Sequence, residues 1–357
     1  MVFDMSDVLS SLDGVCHGAI PCSRLQRLVP VQKFPKYGVM TPETRPQVIL
    51  IAGPTASGKS AVALVLAARL GGEIVNADSM QLYRELPLLS AAPDAADRAR
   101  APHHLYGIAG VGEMFSVARW ADLAGAAIAD IRARGKLPIV TGGTGLYFRA
   151  LLGGLSEVPE IDPAVRRQVR EMVLSEGAAA GHAALSAEDP EMAGRLHGSD
   201  AQRIARALEV VRSTGRSLAA WQETRADGPL TGLDREGGVG KVAMLPPRDW
   251  LYQRCDQRFD AMLAAGALEE VRALPPRDPN LTALKALGIP QLRAALAGEM
   301  PLDEAVVLAK TATRQYAKRQ MTWLRNQCAD WTVIDEKQTE RIADMIFAKI
   351  IQNGLTG

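Results

Sequence analysis

Four cysteines, Cys16, Cys22, Cys255 and Cys328, are all that 357 residues contain, and no two of them form a Cys-x-x-Cys pair. That scarcity excludes a disulfide-stapled scaffold and a structural zinc site, and it points to a reduced, cytoplasmic protein. Cys16-His17 with Cys22 is only a weak echo of a metal site. Long apolar runs are also missing: none approaches the roughly 20 residues that a membrane span requires. The first residues carry Asp4, Asp7 and Asp13 where a leader would have a basic and then an apolar stretch, so neither a membrane location nor secretion is expected. Excess charge of one sign is absent as well. Forty-one basic residues face forty acidic ones, so any surface for a polyanion must be a local patch rather than a net field. No repeat with a period of 20 to 50 residues is visible.

What the chain does have is apolar substance, 47% of residues, and one outstanding motif. Gly53-Pro54-Thr55-Ala56-Ser57-Gly58-Lys59-Ser60 follows the apolar run Val48 to Ala52 and leads into the helical pattern Val62 to Ala68. A phosphate-binding loop needs that placement. Its glycines let backbone N–H groups turn inward around a di- or triphosphate, Lys59 adds a point charge, Ser60 can ligate Mg2+, and the helix N-terminus favours the anion. The motif does not say which phosphate compound is held.

Strands and helices alternate around this loop. Glu73 to Asp78, Leu105 to Ile108, Lys136 to Thr141 and Lys241 to Leu245 read as further strands. Phe115 to Arg134 reads as a helix capped by Ser116 and closed by Gly135. The alternation predicts an α/β fold, a P-loop kinase-like core whose parallel sheet is covered by helices on both faces. Between Leu155 and about Arg235 the pattern is helical, with Pro163 to Leu174, Ala201 to Thr214 and Leu218 to Thr224, which indicates an inserted all-helical subdomain. Asp227 to Gly240, rich in glycine, reads as a mobile return linker. The expected organisation is a poorly ordered extension over 1–45, a core made of 46–155 and 236–357, and an insertion with its linker over 156–235.

In open parallel sheets ligands lie beyond the carboxyl ends of the strands. Besides the phosphate loop, two segments occupy such positions: Asp78-Ser79-Met80-Gln81-Leu82-Tyr83-Arg84, with a carboxylate at its start, and Gly142-Gly143-Thr144-Gly145-Leu146-Tyr147. A nucleotide hydrolase would end an apolar strand in Asp to organise Mg2+ and water. Here the obvious strand ends in Thr141-Gly142-Gly143, which argues against a motor or switch ATPase and towards a transferase. Residues 305–329 hold Lys310, Arg314, Lys318, Arg319 and Arg325 and no acidic residue. On a helix Lys310, Arg314, Lys318 and Arg325 fall within about 80° of one another. With Tyr316 and Trp323 beside them, this composition suits RNA phosphates and bases, or else a solvated face whose Trp323 belongs to the core. Gln202-Arg203-Ile204-Ala205-Arg206 adds two basic residues, and Arg258 is a candidate charge clamp for the phosphates or a partner in a surface ion pair.

Six ordered blocks together resemble the bacterial tRNA dimethylallyltransferase family: Gly53 to Ser60, Asp78 to Tyr83, Ala101-Pro102-His103-His104, Gly142 to Tyr147, Asp200 to Val210, and Lys318 to Arg325. The resemblance runs from about Gln47 to Trp331. It implies transfer of a dimethylallyl group from dimethylallyl diphosphate to N6 of the adenosine 3′ to the anticodon, with Mg2+ as cofactor and tRNA as partner, in a monomer. It implies that Asp78 faces the amine, that Thr144 lies beside the reacting centre, and that Lys59, Ser60 and Arg258 address the diphosphate and its Mg2+. It also implies tRNA contacts at Asp78 to Gln81, Thr144, Arg166, Gln202 to Arg206, Lys285, Lys318, Arg319 and Arg325. Leu287-Gly288-Ile289-Pro290-Gln291 departs from the family's Val-Gly-Tyr-Arg-Gln and removes two side chains from that contact region. The rivals are an isopentenyltransferase acting on free adenine nucleotides, which would have little use for an insertion, and a P-loop small-molecule kinase.

Overall fold

The computed structural model describes residues 46–276 and 281–353. The extension expected over residues 1–45, with Cys16, His17 and Cys22, lies outside them.

Six strands form one sheet: β1 Val48–Ala52, β2 Gly72–Asn76, β3 His103–His104, β4 Leu137–Gly142, β5 Val239–Met244 and β6 Thr332–Ile334. Their order is β3-β2-β4-β1-β5-β6 and every pairing is parallel. The helices that follow the first strands are α1 Lys59–Leu70, α2 Ala95–Arg100, α3 Val117–Ala133 and α4 Gly145–Gly153. The insertion supplies α5 Pro163–Glu176, α6 Ala178–Glu188, α7 Pro190–Arg195, α8 Ala201–Thr214 and α9 Leu218–Glu223, and α10 Thr231–Arg235 leads back to the sheet. After β5 come α11 Arg248–Ala264, α12 Ala267–Ala273, α13 Ile289–Leu296, α14 Leu302–Gln327 and, after β6, α15 Thr339–Asn353.

Burial on both faces explains why the strands are continuously apolar rather than alternating. Successive side chains of β1 point to opposite faces, and both faces are covered. Val48 and Leu50 join Trp120, Ile128 and Phe148 from α3 and α4, while Ile49 and Ile51 join Val62, Leu66 and Ile346 from α1 and α15. The inserted helices close over a separate cluster that includes Val169, Leu185, Ile204 and Leu208. Ser116 caps α3 by accepting from Arg119 N–H at 3.1 Å, and Gly135 follows the helix at φ +70°. Among the described residues no helix is long and apolar enough to cross a membrane.

Three expectations need correction. The third strand is His103–His104 rather than Leu105 to Ile108, because Leu105 turns the chain at φ +64°. The second strand stops at Asn76, two residues before Asp78. The glycine-rich return segment is built into the fold. Thr231 is buried and its hydroxyl donates to the Leu152 carbonyl at 2.7 Å, and a Cβ on Gly228 would overlap the Ala150 and Leu151 carbonyls of α4. Glycine here permits close approach of two backbones rather than mobility.

Candidate active site

β1, β2 and β4 are neighbours in the sheet, so the loops at their carboxyl ends meet. The phosphate loop turns through Ala56 at φ +63° and Gly58 at φ +88° before α1 begins at Lys59. Lys59 is buried, and its ammonium has one long contact, to the Pro54 carbonyl at 3.4 Å. Burial pulls its pKa down to about 8, against the opposing pull of the Asp78 charge. Ser57 Oγ is buried with no hydrogen-bond partner among the described residues. A buried cation and a buried hydroxyl left short of partners mark a cradle shaped for an anion that supplies them.

Two arginines of α11 approach this loop. Arg258 donates through Nη2 to Thr55 Oγ1, and burial lowers its pKa. Arg254 donates through Nε to the Ala56 carbonyl at 3.1 Å. From the other side Gln320 of α14 accepts from Thr55 N–H at 2.8 Å and donates to the Gly143 carbonyl at 2.8 Å. This one amide joins the phosphate loop to the glycine cluster after β4.

That cluster is glycine for reasons of space. A Cβ on Gly142 would overlap the Ala77 carbonyl, one on Gly143 the Gln320 amide, and one on Gly145 the Trp323 ring. Thr144 N–H donates to the Ala77 carbonyl at 3.1 Å, and Thr144 Oγ1 accepts from Ser79 N–H at 3.0 Å. Thr144 therefore holds the segment that carries Asp78. Asn76 fixes the same segment from below, accepting from Asp78 N–H at 2.7 Å and donating to the Asp78 carbonyl at 3.0 Å. Asp78 Oδ1 accepts from Met80 N–H at 3.0 Å.

A cavity of about 330 Å³ opens between these elements. Thr55, Asp78, Ser79 and Arg258 give it a polar end, and Leu89, Phe259 and Met262 an apolar wall. Tyr316, Lys285 and Arg319 also line it, and Tyr316 has its hydroxyl pKa raised by burial and by the Asp78 charge. Thr55, Asp78, Ser79, Met80, Arg258, Lys285 and Arg319 thus share one space. Lys59 and Thr144 do not line it, although Thr144 holds Ser79, which does, and Ser60 is exposed at the first turn of α1.

The other sequence candidates are distributed differently. Gln81 closes its own loop by donating to the Ser90 and Ala91 carbonyls at 3.0 and 2.7 Å. Arg166 lies on α5 and Gln202, Arg203 and Arg206 on α8, whereas Ile204 is 0% exposed in the core of the inserted helices and Ala205 is also buried. Ile204 is therefore a packing residue. The basic stripe of α14 divides in two. Lys310 pairs with Asp260 at 2.6 Å and Arg314 with Asp256 at 2.7 Å, so its first half clamps α14 onto α11. Lys318 and Arg325 are exposed and form no ion pair among the described residues. Where the family pattern is broken, Ile289 is 0% exposed and Pro290 sits in the first turn of α13. Arg254 and Gln320 carry no signal of these roles in the sequence, because their contacts span 198 and 265 residues.

Comparisons with known proteins agree with this geometry. The family described as IPP transferase matches residues 81–327, and that described as isopentenyl transferase matches residues 46–106. A tRNA dimethylallyltransferase of Parvibaculum lavamentivorans is 51% identical over 86% of this chain and 97% of its own length. One from Rhodospirillum centenum is 52% identical over 81% of this chain and 91% of its own. Among solved structures, the tRNA isopentenylpyrophosphate transferase of Bacillus halodurans superposes with a TM-score of 0.60 at 33% identity, covering 87% of this chain and 99% of that one. A eukaryotic dimethylallyltransferase acting on tRNA gives a TM-score of 0.69 at 26% identity over 85% of this chain and 79% of that one.

Proposed function

The chain belongs to the tRNA dimethylallyltransferase family, and on that premise we propose that it transfers the dimethylallyl group of dimethylallyl diphosphate to N6 of the adenosine 3′ to the anticodon of tRNA. The observation that carries this reading is the cavity in which a phosphate-side group, Arg258, and a carboxylate, Asp78, share a space with an apolar wall. An isoprenoid diphosphate has the same two-part character.

In the proposed reaction the N6 lone pair attacks the allylic carbon, the bond from that carbon to the diphosphate oxygen breaks, and diphosphate leaves with the electron pair. An adenine amine is a poor nucleophile because its lone pair is delocalised, so it needs orientation and a destination for its proton. Asp78, held by Asn76 and by the Thr144–Ser79 contact, accepts an N–H hydrogen bond and then the proton. Negative charge grows on the leaving oxygens, and Lys59, Arg258 and the N–H groups of residues 53–60 stabilise it. Among the described residues no group of three or more His, Cys, Asp or Glu is arranged around a metal, so magnesium would rest on Ser60 Oγ, water and the diphosphate itself, as is usual for this ion. Magnesium would supply further neutralisation of the leaving group.

The test mixes purified protein and Mg2+ with labelled dimethylallyl diphosphate, offering unmodified tRNA in one reaction and AMP in another. Label is expected in tRNA. Label appearing in AMP and not in tRNA would overturn the reading.

A further inference from the structure

Farther along α14 from the Asp78 cavity lies a second one, of about 250 Å³, lined by α4, α10, β5 and the residues leading into β6. Trp323 and Trp331 form its apolar part, and Arg149, Lys241, Asp234 and Asp330 its polar part. The two carboxylates share one partner, Lys241, which holds Asp234 at 3.1 Å and Asp330 at 2.6 Å. Arg149 is left over. Its Nε is buried with no hydrogen-bond partner, and it forms no ion pair among the described residues.

A charge that acts on Arg149 is another cation. Arg225, at the edge of the inserted helices where its backbone bridges to Ser156, is exposed and lowers the pKa of Arg149 in the same direction as burial does. Among the described residues the Arg225 side chain donates to the Gln222 carbonyl alone, at 3.3 Å. Two guanidinium groups that repel each other, one of them half-buried and neither in an ion pair among the described residues, are an unfavourable arrangement in the free protein. An anion placed between them reverses the sign of every interaction involved. Guanidinium presents parallel N–H donors that match a phosphate oxygen pair, and it keeps its charge when desolvated.

We propose that Arg149 and Arg225 together bind a backbone phosphodiester of the RNA substrate, outside the reaction cavity and at the junction between the core and the inserted helices. The proposal rests on the reading of the chain as a tRNA-modifying enzyme. It adds a contact that none of the sequence motifs marks, and it explains why an arginine is kept half-buried on α4 outside every ion pair among the described residues. The site positions the RNA and takes no part in the chemistry.

The test is tRNA binding by the full chain as a function of NaCl concentration, for the wild type, Arg149→Gln, Arg149→Lys, Arg225→Gln and the double Gln variant. Loss of one phosphate contact lowers the magnitude of the log K against log salt slope by about 1. Arg149→Gln is expected to show that change with roughly tenfold weaker binding at low salt. Arg149→Lys should recover the slope and only part of the affinity, because a point charge lacks the paired donors. Thermal stability should not fall in Arg149→Gln, since no ion pair is lost; should that variant fail to fold, exposed Arg225→Gln provides the same slope measurement. An unchanged slope in the folded variants overturns the proposal, as does a thermal shift by inorganic phosphate that disappears in Arg149→Gln while RNA binding stays the same. If the wild type neither binds nor prenylates tRNA, it is instead the reading of the function that fails.

Discussion

Around the phosphate loop Thr55 and the Ala56 carbonyl are restrained by neighbours from distant parts of the chain, whereas around Glu209 in the inserted helices, and on α4, arginines outnumber the carboxylates they meet. Thr55 alone is held by Gln320 and Arg258, and the Asp78 segment by Asn76 and Thr144. In the insertion, Arg170 and Arg206 share one buried carboxylate, Glu209, at 3.0 and 3.8 Å, while the nearby Arg166 adds charge and has a buried Nε without a partner. The first region is built to hold reacting groups in fixed geometry, which catalysis by positioning demands. Around Glu209 the second leaves local positive charge in excess, as a surface does when its partner brings the counter-charge.

Substitutions in the fixed region should have the largest effects. Asp78→Asn keeps the size and most hydrogen bonds of the side chain but removes the proton acceptor. Its single-turnover prenyl transfer should fall about 100- to 10,000-fold while tRNA affinity stays near the wild-type value. Lys59→Ala should cost roughly 100- to 1000-fold in rate. The lowered pKa of Lys59 adds a pH signature: as pH rises through about 8 the free enzyme loses the ammonium, so kcat/KM for the prenyl donor should decline there. Lys59→Arg should remove that decline.

Gln320→Ala tests whether the two loops act as one unit. Freed from each other, they should lose roughly 10- to 100-fold in kcat, through misplacement of the donor relative to the base, with tRNA affinity preserved. Much of this region is legible in the amino-acid sequence, because the phosphate loop, its strand and its helix are contiguous, and because Asp78 and Thr144 each follow a strand. Gln320 and Arg254 are not, since a long-range hydrogen bond leaves no local pattern. The same limit hides β3 and β6, two and three residues long, and makes the Gly228 approach to α4 look like a linker. The stripe on α14 is visible as periodic charge, but which half of it is neutralised depends on Asp256 and Asp260 of a different helix.

Smaller effects should separate structural from RNA-facing charge. Glu73, at the amino end of β2, is buried and bound by both Arg134 and His104, which hold its carboxyl down to about 2. Because that pKa lies below the unfolded value, the pair stabilises the fold fully above about pH 4.5, and the contribution is lost as pH falls towards 2. Glu73→Gln should therefore lower stability by about 2 kcal/mol in denaturant titrations at neutral pH, flatten that acid dependence, and leave prenyl transfer unchanged. On α14, Lys318→Ala with Arg325→Ala should reduce the salt slope of tRNA binding by about 2. Lys310→Ala with Arg314→Ala should leave that slope unaltered and lower stability by about 1 kcal/mol. Equal slopes for the two pairs would erase the distinction between clamp and RNA surface.

In the proposed reaction one cavity brings a diphosphate cradle and the Asp78 carboxylate onto the same reacting carbon. A crystal structure of the protein with an anticodon stem-loop and an unreactive thio-analogue of dimethylallyl diphosphate tests it most directly. The expected result is a diphosphate enclosed by residues 53–60 and Arg258, with adenine N6 facing Asp78 roughly 3 to 3.5 Å from the allylic carbon. A diphosphate bound away from Lys59, or an Asp78 side chain directed away from the amine, would contradict it.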